Sequence, residues 1–115
     1  MSLAQSLRPI PIDQNIIAAA AKNVAAEIRV RCMPKRVILF GSAANGSFKF
    51  GSDLDFILIF GDVSELRVAR ANLRKIGKLH NEIPIDLIFV TQEHFESAKE
   101  RGGLCYTVSK EGVEM

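Results

Sequence analysis

The sequence predicts an α+β (α/β) fold, a small mixed β-sheet with helices packed on one face. Helical apolar spacing recurs over residues 13–33, 64–80 and 92–101. Short, largely apolar runs over 37–40, 54–60 and 83–90 lie between them. Helices alternating with buried strands define this class.

The first helix is expected from Asp13 to Met33. Asp13 is a good N-cap, and Ile12 with Ile17 can form a hydrophobic staple. Ile16, Ala20, Val24 and Ile28 recur every four residues and predict the core stripe. Pro34 ends the helix, because the residue before a proline resists helical geometry. Residues 36–40, with Val37, Ile38, Leu39 and Phe40 in succession, read as a strand buried on both faces. Gly41-Ser42 ends it, and a turn or single helical turn follows over 43–46. Residues 47–51 read as a loop.

A second buried strand is expected over 54–60, with Asp53 and Asp55 at its start. The next helix, 64–80, is capped by Asp62 or Ser64. Leu66, Ala69, Leu73 and Ile76 face its core. The third strand, 83–90, places Ile83, Ile85, Leu87 and Phe89 on one face and Asp86 on the other. A last helix ends near Gly102-Gly103. The tail, 104–115, has room for a short strand or helical turn.

One domain spanning 1–115 is the natural reading of this length. The 48% apolar and 24% charged content is that of a soluble globular protein. A net charge of +2 is too weak to argue for nucleic acid. Cys32 and Cys105 lack metal or redox spacing and read as reduced structural cysteines. Residues 1–11 contain no apolar secretion signal, and no apolar run approaches the roughly 20 residues of a membrane span. A cytoplasmic location with no membrane partner is the expectation.

Asp53 and Asp55 interrupt an apolar strand. Two carboxylates at i and i+2 point to the same face. Burying them unpaired is costly, and side by side they raise one another's pKa. A divalent cation removes both problems. Magnesium fits: it takes oxygen ligands and commonly uses one or two carboxylates plus substrate phosphates. Asp86, between Ile85 and Leu87, reads as mid-strand and supplies a third acid. Its carboxylate is expected within about 6 Å of one of the others, close enough to share a metal. A D-x-D at a strand start is often a solvated loop acid; three acids on one face are harder to explain as structure. Gly41-Ser42 lets backbone and hydroxyl donors approach a phosphate.

Together, GSAANGSFKFGSDLD and the later IPIDLIFV resemble the signature of the DNA polymerase beta-like nucleotidyltransferase superfamily. That signature is Gly-Ser, about ten residues, Asp-x-Asp, and a third acid on a later strand. The apolar strand before Gly41, Gly46 in the loop and Ser52 before the acids also match. The short chain is similar to the minimal nucleotidyltransferases, antitoxins paired with helical HEPN-type toxins. The resemblance implies AMP transfer from ATP to a tyrosine of such a toxin. It implies Gly41, Ser42 and Ser52 as nucleotide-binding residues. Asp53, Asp55 and Asp86 are implied as catalytic residues and ligands of two magnesium ions. It also implies a HEPN-type partner or a homodimer, because no helical acceptor domain is present. One departure stands out: Ala43 and Asn45 occupy positions where many minimal members carry arginine. Lys49 is a candidate substitute cation.

That departure motivates an alternative, a binding module that neutralises a helical partner by occlusion with little or no turnover. A small hydroxylated acceptor such as an aminoglycoside is disfavoured by the missing acceptor domain. Arg67, Arg70, Arg74, Lys75 and Lys78 form a basic stripe that reads first as a solvated helix face. His80 and His94 have no partner spacing for metal or base chemistry. Phe48 and Phe50 are expected to pack the loop onto the core rather than stack on a base. Tyr106 is a weak candidate for self-modification.

Overall fold

A computed structural model describes residues 11–76 and 83–115. Helix α1 spans Gln14–Cys32, strand β1 Arg36–Phe40, helix α2 Ser42–Asn45 and strand β2 Leu54–Phe60. Helix α3 (Val63–Ile76), strand β3 (Ile85–Thr91), helix α4 (Gln92–Ala98), helix α5 (Leu104–Glu111) and strand β4 (Val113–Glu114) follow. The sheet is mixed, in the order β3-β2-β1-β4. β1 runs antiparallel to β2 and β4, whereas β2 and β3 are parallel. A tight turn cannot join parallel strands, so α3 makes the crossover between them.

Asp13 caps α1 as expected, accepting from the Asn15 N–H at 2.9 Å. The buried stripe is rotated from the expected one. Ile17, Ala21, Val24, Ala25 and Ile28 are buried, Ala20 is half-buried, and Ile16 faces solvent. Both sides of α1 are apolar, so helical periodicity alone did not select the inner side. Asp62 caps α3, accepting from Glu65 N–H at 2.9 Å, while Glu65 reaches back to accept from Gly61 N–H at 2.9 Å. These reciprocal bonds follow capping-box logic.

The larger core lies under α1 and α3. It joins Ile17, Val24 and Ile28 to Val37, Leu39, Leu54, Phe56, Leu58 and Phe60. Ile83, Ile85, Leu87 and Phe89 pack against it, as their spacing predicts. Phe60 and Phe89 stack at 5.9 Å, and the Arg70 guanidinium lies 5.1 Å from the Phe89 ring centre.

The opposite face is not bare, which corrects the expectation of helices on one face only. Ile38, Ile57 and Ile59 are buried with Phe95 of α4 and with Cys105 and Val108 of α5. These apolar residues alternate with the first set along each strand and need a second cover. The C-terminal residues supply it as a helix followed by a short strand, where only one short element was expected. Arg36 pairs with Glu114 of β4 and lies 5.3 Å from the Phe95 ring centre.

Strand β3 starts two residues later than expected. Pro84 has no N–H to give to the ladder, although its carbonyl accepts from Leu54 N–H at 2.9 Å. Both cysteines are free, Cys105 buried and Cys32 half-buried. Burial pushes both thiols above their ordinary pKa, with Arg31 opposing the shift at Cys32. His94 and Tyr106 are exposed. The side chains of Arg74, Lys75 and Ile76, and all of Lys78 and His80, lie outside the described residues. No helix among the described residues is long and apolar enough to cross a membrane.

Candidate active site

The topology gathers the motif at one end of the sheet. Because β1 and β2 are antiparallel, the end of β1 lies beside the start of β2, and Phe40 pairs with Asp55. Because β2 and β3 are parallel, their starts coincide, and Asp55 pairs with Asp86. Phe40, Asp55 and Asp86 therefore form one row across the sheet. Neighbouring strands are roughly 4.8 Å apart, so the two aspartates rise side by side on the same face. Asp53 immediately precedes β2 and has the same parity as Asp55.

Two further rows lie on that face: Arg36, Ile59 and Val90, then Ile38, Ile57 and Ile88. Helices α4 and α5 cover the isoleucines of these rows and leave the acid row open. Asp53 and Asp86 are exposed and Asp55 is half-buried. Asp86 is the second residue of β3 rather than a mid-strand acid, so it reaches water. Its membership of the site rests on register with Asp55, not on burial.

Partial burial, followed by the charges of Asp86 and then Asp53, pushes Asp55 above the ordinary carboxylate range. Asp55 thus feels the charges of both neighbouring carboxylates. Among the described residues, no group of three or more His, Cys, Asp or Glu is gathered tightly enough to form a metal site. Repulsion between like charges opposes tighter approach. The donor set is nonetheless all carboxylate oxygen, which suits magnesium or manganese rather than a soft metal.

Gly41 follows β1 with φ 73° and ψ −153°, a region open essentially to glycine. A Cβ there would come to 2.6 Å from Oδ2 of Asp55. The turn thus presses its backbone against the central carboxylate. Ser42 opens α2 half-buried, and its carbonyl accepts from Ser47 N–H at 3.1 Å. Ala43 and Asn45 complete α2. The Asn45 carboxamide accepts from Ser47 N–H at 3.0 Å and from the Ser47 hydroxyl. Asn45 therefore shapes the loop where an arginine would supply charge.

Ser52 holds the last turn before the acids. Its N–H donates to the Lys49 carbonyl at 2.9 Å, and its hydroxyl accepts from Lys49 N–H at 3.0 Å. Lys49 and Phe50 are exposed. Phe48 packs into the core as expected, but Phe50 does not; it is 94% exposed. Phe50 opens the turn that leads to Ser52, so the period-two rule that would set both rings on one face does not hold there.

Sequence reading missed Gln14. Its Nε2 donates to the Phe48 carbonyl at 3.0 Å, and its Oε1 accepts from Phe48 N–H at 3.2 Å. The amide fastens the loop to α1 across 34 residues, a pairing with no local signal. Around it lies a groove of about 960 Å³ that includes Ile12, Phe48 and Phe50.

Comparison with known proteins bears on the fold and the family. No curated protein matches the chain. A solved structure from Sulfolobus solfataricus, provisionally described as a nucleotidyltransferase, is similar in fold: TM-score 0.53 and 20% identity, over 88% of this chain and 80% of that one. The nucleotidyltransferase domain family matches residues 21–113, from within α1 to the first residue of β4. The Gly41-Ser42 turn, the acid row and the sheet that aligns them all fall within that match, and the chain belongs to the nucleotidyltransferase domain family.

Proposed function

We propose that this nucleotidyltransferase transfers AMP from ATP to a hydroxyl of a protein partner, a tyrosine of a HEPN-type helical toxin, and so acts as its antitoxin. The observation that carries the reading is the row Phe40, Asp55, Asp86 with Gly41 pressed against the Asp55 carboxylate. Resemblance to minimal nucleotidyltransferases supports the acceptor and the partner.

Asp53 and Asp55 would hold magnesium, with Asp86 completing one site. Magnesium held by these residues would supply positive charge against the phosphates and the pyrophosphate leaving group. Gly41 and Ser42 bind the triphosphate through backbone and hydroxyl donors, and Ser52 keeps the adjoining turn in place. The acceptor oxygen bonds to the α-phosphorus as the bond from that phosphorus to pyrophosphate breaks. Asp86, exposed beside Asp55, takes the hydroxyl proton. Positioning and electrostatic stabilisation then carry the rate.

Intact-mass analysis with ATP, magnesium and the helical partner tests this reading. Added AMP on the partner, absent with Asp53→Ala/Asp55→Ala, is the expected result. A bound partner that gains no mass favours the second reading, neutralisation by occlusion. Ala43 and Asn45 support that alternative, since neither brings the cationic charge that many minimal members place there.

A further inference from the structure

Helix α1 carries a second apolar seam on the side away from its core. Ile16, Ala19, Asn23, Ala26 and Val30 are spaced by three, four, three and four residues, and all are exposed. Ile16 is 65% exposed and Val30 80%. Met33, just past the helix end and 81% exposed, continues the spacing. At about 100° per residue, this seam lies roughly 180° from the stripe of Ile17, Ala21, Val24, Ala25 and Ile28. A helix packed on one core normally turns a polar back to water. Here the charges sit beside the seam instead: Lys22 on one flank and Glu27 on the other.

Alternating three and four spacing is the heptad pattern of helices that pack side by side. Ile16, Asn23 and Val30 take the a positions, and Ala19 and Ala26 the d positions. The core stripe falls at b, c and f, the outward positions of such a pair. The seam is also self-complementary. In a parallel, in-register pair, Asn23 faces Asn23, a polar a-position contact that specifies register. Lys22 at g then faces Glu27 of the partner subunit at e, and the twofold axis repeats the pair. An antiparallel pair would bring the Lys22 and Arg29 flanks together and set like charges against each other.

We propose that α1 is a homodimerisation helix whose outer seam packs, parallel and in register, against the same seam of a second copy. The small d residues let the helices approach closely, and the matched flanks select the chain's own copy. This inference is independent of the reaction proposed above.

Sedimentation of the full chain from about 1 µM to about 1 mM tests it, over the range where modest interfaces dissociate. A concentration-dependent dimer is expected. Val30→Asp should leave monomer at every concentration with unchanged circular dichroism, and its thermal unfolding should match that of the wild type at concentrations where both are monomeric, because Val30 lies outside the core. Lys22→Glu should weaken the dimer about tenfold, and Lys22→Glu/Glu27→Lys should restore it. Ile16→Cys in a Cys32→Ser background should cross-link to itself on oxidation, which only the parallel register allows. Monomer throughout, a dimer indifferent to Val30→Asp, or failure of the Ile16→Cys cross-link would each overturn the proposal. So would a monomeric chain that uses this seam to bind a different helical protein.

Discussion

Gly41 and Asp55 are in such close apposition that a single methyl group on Gly41 would come to 2.6 Å from the Asp55 carboxylate. The turn after β1 and the acid at the start of β2 are therefore one structural unit. Gly41→Ala should cost about 1–3 kcal/mol of stability from backbone strain. Displacing Asp55 should also lower transfer about 100-fold. Gly46→Ala is the control: φ is +80° there, but nothing lies within 4 Å of its added Cβ. It should cost about 1–2 kcal/mol without moving Asp55. Urea unfolding and initial rates on both variants separate strain from displacement.

Asp55 makes the stability of the metal-free chain pH-dependent. Its folded-state pKa is raised, first by burial and then by Asp86 and Asp53. Between the unfolded carboxylate value, about 3.9, and the raised folded value, the native state binds more protons. Stability from this group therefore falls as pH rises through that window. Asp55→Asn should be more stable than the wild type at neutral pH, with the gain vanishing below about pH 4. Unfolding curves across that range give the sign directly.

Magnesium should stabilise the fold, because the acids are gathered only in the native state. At a hundredfold excess over the dissociation constant, the gain is about 2.7 kcal/mol. Thermal melts with and without magnesium should show the rise in wild type and its loss in Asp55→Ala and Asp86→Ala. An equal rise in all three would remove these aspartates from the metal-binding role.

Gln14→Ala should cost about 1–3 kcal/mol, since it frees both backbone groups of the nearly buried Phe48. Hydrogen exchange should quicken at the Phe48 amide and leave the β1–β2 ladder protected.

Phe50→Ala should change stability by no more than about 0.5 kcal/mol, because the ring contributes nothing to the core. A loss comparable to that of a buried phenylalanine, read by urea unfolding, would show that the ring is covered in solution.

Much of the site could be read from the order of residues. The limits of β1 and β2, the Asp13 cap and the shared face of the acids follow from local rules, period two in strands and side-chain oxygens at helix starts. Asp53 and Asp55 break an apolar run, and that contrast is visible in one dimension. The tertiary structure decided which side of α1 is buried, because Ile16 and Ile17 are equally apolar and only the position of the sheet distinguishes them. It decided that α4 and α5 close the second face over Ile57 and Ile59 yet stop short of Asp55. It also aligned Asp55 with Asp86, and Gln14 with Phe48, since pairings between distant segments depend on how strands and helices assemble. The sequence by itself determined which chemical groups are available and the local elements that carry them; long-range packing decided which groups meet.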